Sequence, residues 1–337
     1  MQRSANTRKT ISGIVFLLFL LLFAACITSA RSYHKISEIR VNDDFIIVTV
    51  TTKDTFSSLA AEYLNDPSKG WLIAEFNHIK TLTAGQELII PLFSFNKGGL
   101  KIGGYQTVPV LSYYRLSINK PSKIAITQDD FKAQMKYLKD NGYHVITLDQ
   151  LLGFLDYQEQ LPEKSVVITF DDGWISVYDI ALPILKEYGF PATIFIYTDF
   201  VGGGKAMSWN HIKELSQAGF DIQCQTKTHR NLAVLKNKES FREYFDSLEM
   251  EISYPKKLIE TKLNKECNCL AYPYGKTNNL VIAMLKKHGY RAAFTVDNKS
   301  NPFFIDKYKI SRSPIYGKYD IEKFKNKLSV FQDMELK

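Results

Sequence analysis

One stretch constrains this chain more than any other: Ser165 to Gly173, which reads SVVITFDDG. Ser165–Phe170 is a short apolar, β-branched run, the pattern of a strand buried in a sheet. It ends abruptly in two adjacent carboxylates and a glycine, Asp171, Asp172 and Gly173. Behind them Trp174–Tyr188 carries Val177, Ile180, Ala181, Ile184 and Leu185 at helical spacing and stops at Gly189, a glycine suited to end a helix. Two acids therefore stand where a core strand hands over to a helix. In barrels of parallel strands, functional groups collect at that end.

The rest of the chain repeats this alternation. Strands are expected at Val108–Leu111, Val145–Thr147, Ala192–Tyr197, Phe220–Gln225, Leu270–Tyr272, Ala292–Thr295 and Lys309–Ser313. Helices are expected at Gln128–Asn141, Asp149–Leu155, Ser208–Ala218, Ser240–Leu263 (with a kink or break at Pro255), Asn278–His288 and Asp320–Leu328. Six or seven βα repeats predict an α/β fold with a parallel sheet closed as a distorted (β/α) barrel, over residues 107–330. Before it, Phe93 to Gly104 holds four glycines in twelve residues, so 93–106 reads as a linker.

Charge narrows the partners. The formal net charge is +8, but the first 37 residues hold five basic residues and no acid, leaving 38 basic against 35 acidic residues in the remainder. That near-neutral remainder argues against nucleic acid as a partner. The basic start precedes an apolar run, Ile14 to Ile27, that is short for a bilayer span of about 20 residues and fits an export leader over residues 1–30. Phe23-Ala24-Ala25-Cys26 resembles a bacterial lipoprotein processing box, which would make Cys26 a lipidated N-terminus. Ordinary cleavage after Thr28-Ser29-Ala30 and an uncleaved anchor are the alternatives. Each route predicts an exported protein of the periplasm or cell envelope, which a lipid on Cys26 or an uncleaved leader would hold at the membrane and ordinary cleavage, discarding Cys26, would not. Of the other cysteines, Cys224, Cys267 and Cys269, at most one pair, Cys224 with Cys267 or Cys269, could close as a disulfide.

Residues 46–92 form a separate small module. Ile46–Val50 and Glu87–Ile90 read as strands around helices Phe56–Leu64 and Trp71–Asn77. Asp54 or Thr55 is a good helix cap, and Leu59, Ala60 and Tyr63 make an apolar stripe. Val50, Asp54-Thr55-Phe56, Leu59-Ala60, Tyr63, Trp71, Ile73, Asn77, Leu82, Gly85-Gln86, Leu88 and Ile90-Pro91 together resemble a LysM domain, a βααβ fold. Lys53 departs from the usual glycine. The resemblance implies binding of N-acetylglucosamine-containing glycans, chiefly peptidoglycan, with Asp54, Thr55, Asn77 and Ile79 as contact residues.

Chemistry-bearing residues recur at the C-terminal ends of the barrel strands: Asp171-Asp172, then Gln225 to His229, then Tyr272-Pro273-Tyr274-Gly275, then Arg312. Carboxylate and imidazole on neighbouring strands could hold a metal, which would polarise a carbonyl and acidify water. A second carboxylate could then take a proton, and a tight turn could offer N–H groups to an oxyanion.

TFDDG with YPYG at this spacing resembles the polysaccharide deacetylases of carbohydrate esterase family 4, over about Thr107 to Leu328. The resemblance implies Asp171 as catalytic base, Asp172 as ligand of a divalent metal, zinc being the family's usual choice, and His229 as a second ligand. The family's other ligand histidine is Gln225 here, a neutral amide and a poorer match for zinc. Tyr113-Tyr114 stands where relatives often carry Tyr-His, and Ala271 where an arginine is usual. His211 and His288 do not match the family's late general acid. Arg312 is expected to pair with Asp171. Two functions follow. One is metal-dependent N-deacetylation of an N-acetylglucosamine-containing exopolysaccharide or peptidoglycan, with substrate held at Tyr272–Gly275. The other is a glycan-binding envelope protein without catalysis, its metal site disarmed at Gln225.

Overall fold

The computed structural model of the chain describes residues 39–40 and 42–334. The leader and Cys26 lie outside the described residues, and among those described no helix is long and apolar enough to cross a membrane. The chain divides into two compact units, Met1–Phe93 and Ser94–Lys337.

In the first unit β1 (Ile39–Arg40), β2 (Phe45–Thr49) and β3 (Glu87–Pro91) form an antiparallel sheet with β2 in the middle. Helices α1 (Phe56–Leu64) and α2 (Gly70–Phe76) complete the expected βααβ order. Ile46, Val48, Leu59, Ala60, Ile73, Leu88 and Ile90 make its core. Thr55 caps α1 in a reciprocal capping box with Ser58, which satisfies helix-end N–H groups. Asn77 spends its amide on the Ile73 and Ile89 carbonyls and the Ile89 N–H. Asp54 accepts from the Thr51 N–H at 2.6 Å. Ile79 packs on the core. All four residues expected to contact glycan thus do structural work here.

The second unit opens with a correction. The glycine-rich stretch expected as a linker holds β4 (Leu100–Lys101) and β5 (Gly104–Gln106), an antiparallel hairpin that also pairs with β16 (Phe331–Asp333) at the far end of the chain. Its glycines serve a tight hairpin: a Cβ on Gly104 would fall 2.2 Å from the Gln332 carbonyl oxygen.

The main sheet comprises β6 (Val110–Tyr113), β9 (His144–Val145), β10 (Ser165–Phe170), β11 (Thr193–Ile196), β12 (Asp221–Cys224), β13 (Cys269–Ala271), β14 (Ala292–Phe294) and β15 (Ser313–Pro314). The order is β14-β13-β12-β11-β10-β6-β15, all parallel, with β9 beside β10. Ile310 bridges to Phe294 of β14, while Ser313 and Pro314 pair with β6. Residues 310–314 therefore touch both ends of the curled sheet and form its seam. A short parallel pair, β7 (Arg115–Ser117) with β8 (Ala125–Thr127), lies outside this sheet.

Helices follow the strands as expected: α3 (Gln128–Asp140), α4 (Leu148–Leu155), α5 (Leu182–Tyr188), α6 (Trp209–Gln217), α7 (Phe241–Leu263), α8 (Asn279–Lys287) and α9 (Ile321–Lys325). α5 is preceded by a π-helical turn, Val177–Ala181, and ends at Gly189 with φ 67°. α7 runs through Pro255. Apolar faces of these helices cover the sheet, burying Phe131, Leu185, Leu215, Leu248 and Leu285. Every residue of β10 is buried, as the middle strand of a sheet covered on both faces requires.

Candidate active site

Phe170 ends β10 by pairing with Tyr113, and the next N–H, that of Asp171, donates to the Tyr113 carbonyl at 2.8 Å. Asp171 thus continues the strand and points its carboxylate inward, 1% exposed. Arg312, from the seam and fully buried, donates through Nη1 to Oδ1 at 2.5 Å and through Nη2 to Oδ2 at 3.0 Å. The Ser112 hydroxyl donates to Oδ2 at 3.1 Å. Arg312 is held in turn by the Thr295 carbonyl and the Phe195 ring. A paired, forked contact of this kind fixes a carboxylate in place as well as balancing its charge.

At Asp172 the chain turns. Its φ is 72°, and Gly173 follows at 93°. This turn aims the Asp172 N–H at the Gln225 amide oxygen, 2.7 Å away. Trp174 donates its indole N–H to Asp172 Oδ2 at 3.0 Å. Asp172 Oδ1 lies 3.5 Å from His229 Nε2. Burial raises the Asp172 carboxyl above the ordinary carboxylate range, and the neighbouring charge of Asp171 raises it further.

His229 stands between two tyrosines, with ring centroids 5.0 Å from Tyr197 and 5.0 Å from Tyr274. Its loop leaves β12 through Thr226 at φ 74° and reaches His229 at φ 61°. The loop is tied down by Glu251 of α7, which accepts from the Lys227 N–H, the Thr228 N–H and the Thr228 hydroxyl at 3.0, 2.8 and 2.6 Å. The YPYG turn places Tyr274 at φ 60°, with its ring exposed. Gly275 has no room for a side chain, since a Cβ would meet Val296 Cγ2 at 2.4 Å. Tyr272 is buried and bonds the Tyr308 carbonyl.

The structure therefore brings together Asp171, Asp172, His229, Gln225, Tyr274 and Arg312 at one end of the sheet. Sequence reasoning missed Ser112, Trp174 as partner of Asp172, and Glu251. Glu251 had a signal: a carboxylate in the apolar stripe Tyr244, Leu248, Ile252, Pro255, Ile259 of one helix, all buried. His211 caps α6, its Nδ1 accepting from the Ser208 N–H at 3.2 Å. Cys224, Cys267 and Cys269 are buried free thiols, those of Cys224 and Cys267 within hydrogen-bonding contact.

The donor set can be tested against the metal that the sequence implies. Two ligands each about 2.1 Å from one ion stand about 3.4 Å apart in tetrahedral geometry, and Asp172 Oδ1 and His229 Nε2 are 3.5 Å apart, too far for a good hydrogen bond. The pair fits a shared divalent cation. The Gln225 amide oxygen, expected as a third ligand, is occupied by the Asp172 N–H. Among the described residues no group of three His, Cys, Asp or Glu side chains gathers as a metal cage.

Residues 158–293 match the family model for polysaccharide deacetylases, and residues 48–91 that for LysM domains. A poly-beta-1,6-N-acetyl-D-glucosamine N-deacetylase of Staphylococcus epidermidis is 33% identical over 201 residues, 56% of this chain and 67% of that protein. The chain belongs to the polysaccharide deacetylase family. YxkH of Bacillus subtilis, named for the same family, is 32% identical over 190 residues, and the match spans 64% of its length, under two thirds. The deacetylase fold is shared with PplD of Streptococcus pyogenes, solved with acetate, at 23% identity and a TM-score of 0.61, covering 67% of this chain and 99% of that one.

Proposed function

We propose that this polysaccharide deacetylase-family chain removes N-acetyl groups from an N-acetylglucosamine-containing polysaccharide of the cell envelope, and that its LysM unit holds it near such glycans. The observation that carries this reading is the buried Asp171, fixed by Arg312 and Ser112, beside the Asp172–His229 pair at the functional end of the sheet. A named N-deacetylase at 33% identity supports the reaction class. Export with retention at the membrane, through the leader or a lipid on Cys26, belongs to the same reading.

In this mechanism Asp172 and His229 hold a divalent cation, zinc by the family's usual choice. When bound, the cation supplies Lewis acidity toward water and the amide carbonyl. Asp171 accepts the proton of the attacking water, its geometry fixed by Arg312. The main-chain N–H of Tyr274 would donate to the developing oxyanion, and the exposed Tyr274 ring beside His229 would flank the sugar. Trp174 keeps Asp172 aimed through its indole N–H.

The test is acetate release from N-acetylglucosamine polymers by full-length protein supplied with zinc, cobalt or nickel. Release that disappears in Asp171→Asn supports the reading, and no release from any polymer overturns it. A second reading, glycan binding without catalysis, is favoured by the Gln225 amide facing Asp172 rather than a metal. Activity lost in Asp171→Asn would rule that reading out.

A further inference from the structure

Glu251 is a buried carboxylate that the mechanism above does not use. It lies 4% exposed in the middle of α7, between Leu248 and Ile252 of the buried stripe. Its Oε2 accepts from the Lys227 and Thr228 N–H groups at 3.0 and 2.8 Å, and its Oε1 from the Thr228 hydroxyl at 2.6 Å. Burying a charge is costly unless hydrogen bonds compensate it. Here the compensating bonds come from the two residues immediately before His229.

The residues on either side of that pair are strained. Thr226 and His229 hold φ of 74° and 61°, values that disfavour any side chain. Successive main-chain N–H groups in a turn form a concavity for an anion, and the Glu251 carboxylate fills it. Bonds to an ionised acceptor are also the strong ones. Other ties fasten the start of the loop: the Thr226 carbonyl accepts from the Thr198 N–H at 3.2 Å, and the Lys227 carbonyl from the Asp199 N–H at 3.0 Å. The Lys227 ammonium pairs with Asp199 at 2.7 Å nearer the surface. Thr228, next to His229, is fastened to α7 by both its N–H and its hydroxyl. The His229 N–H turns back within the loop, onto Thr226 Oγ1 at 3.1 Å.

What this fastening controls is the 3.5 Å between Asp172 Oδ1 and His229 Nε2. Asp172 is set by the turn after β10 and His229 by this loop, so their spacing depends on where the loop is held. A ligand pair must be kept within about 0.5 Å of its productive geometry.

We infer that Glu251 is a positioning residue for the Asp172–His229 pair: by clamping the N–H groups of Lys227 and Thr228 to α7, it sets where the His229 imidazole stands. The inference rests on the reading that this pair holds a divalent cation.

The experiment measures zinc affinity of full-length, detergent-solubilised protein by competition with a chromophoric chelator, beside urea denaturation of the zinc-free protein. Glu251→Met keeps the bulk and deletes both acceptors. It should weaken zinc binding at least tenfold in protein that is still folded. Glu251→Gln keeps an oxygen that both N–H groups can share, and should recover most of that loss. Thr228→Val removes one of the three bonds and should fall between wild type and Glu251→Met, which keeps the test open if Glu251→Met does not fold. Asp199→Asn, which loses only the outer ion pair of the same loop, should stay within twofold of wild type. A lower unfolding midpoint with unchanged zinc affinity in Glu251→Met and Thr228→Val would overturn the inference and leave Glu251 a purely structural anchor. Wild type that binds no zinc would overturn the metal reading itself, and this inference with it.

Discussion

Arg312 and Asp171 are 141 residues apart in sequence and joined by two contacts, Nη1 to Oδ1 at 2.5 Å and Nη2 to Oδ2 at 3.0 Å, with neither side chain reaching solvent. One partner follows the central strand and the other sits on the seam, so the pair at once fixes the Asp171 carboxylate and clasps the sheet. Removing one partner of a buried pair strands the other charge in the interior. Arg312→Met should therefore lower unfolding free energy by about 3–5 kcal/mol, read by urea denaturation. A loss below about 1 kcal/mol would mean that the clasp contributes nothing net, as weakly placed ion pairs do.

Gln225 is a bracket for the backbone of Asp172. Gln225→Ala leaves that N–H without its acceptor and should cost about 1–3 kcal/mol. Gln225→His supplies an imidazole, a better zinc donor than an amide oxygen, and should raise zinc affinity at least tenfold in equilibrium dialysis. Unchanged zinc affinity in Gln225→His would show that the position cannot reach the ion.

Trp174 orients Asp172 through one hydrogen bond. Partners of metal ligands typically carry 10–100-fold in affinity or activity. Trp174→Phe keeps the ring and deletes the donor. It should weaken zinc binding by about that factor, measured by competition with a chromophoric chelator. Full affinity in the variant would assign Trp174 to packing alone.

The loop after His229 is fastened by Arg230, whose Nη1 and Nη2 bond Glu239 at 2.8 and 2.9 Å. This hydrogen bonding pulls the Glu239 carboxyl down to about 2. The unfolded chain, with an ordinary glutamate near 4.3, binds the proton first as pH falls. The stabilisation is thus complete above about pH 4.3 and is lost as pH drops through about 2. Thermal melts of Glu239→Gln should be flatter than wild type across that window. Parallel curves would remove Glu239 from the acid response.

The βα alternation and the acids after β10 were legible because periodicity and turn residues are local signals. His229 and the YPYG turn were legible through spacing. The seam was visible only as a late strand, since its role depends on closure of a sheet. The orientation of Gln225 was invisible, because it follows from the positive φ of Asp172, which composition does not encode. The stretch at residues 93–106 was misread because glycines serve hairpins and linkers alike.

Four side-chain-bearing residues of the site, Asp172, Thr226, His229 and Tyr274, hold φ between 60° and 74°. Each such residue costs of order 1–3 kcal/mol, and glycine would sit there without strain. For a sequence under mutational drift, these positions have a downhill direction: any lineage released from the work of this site would be rewarded, in folding alone, for replacing them. This chain stands uphill at all four.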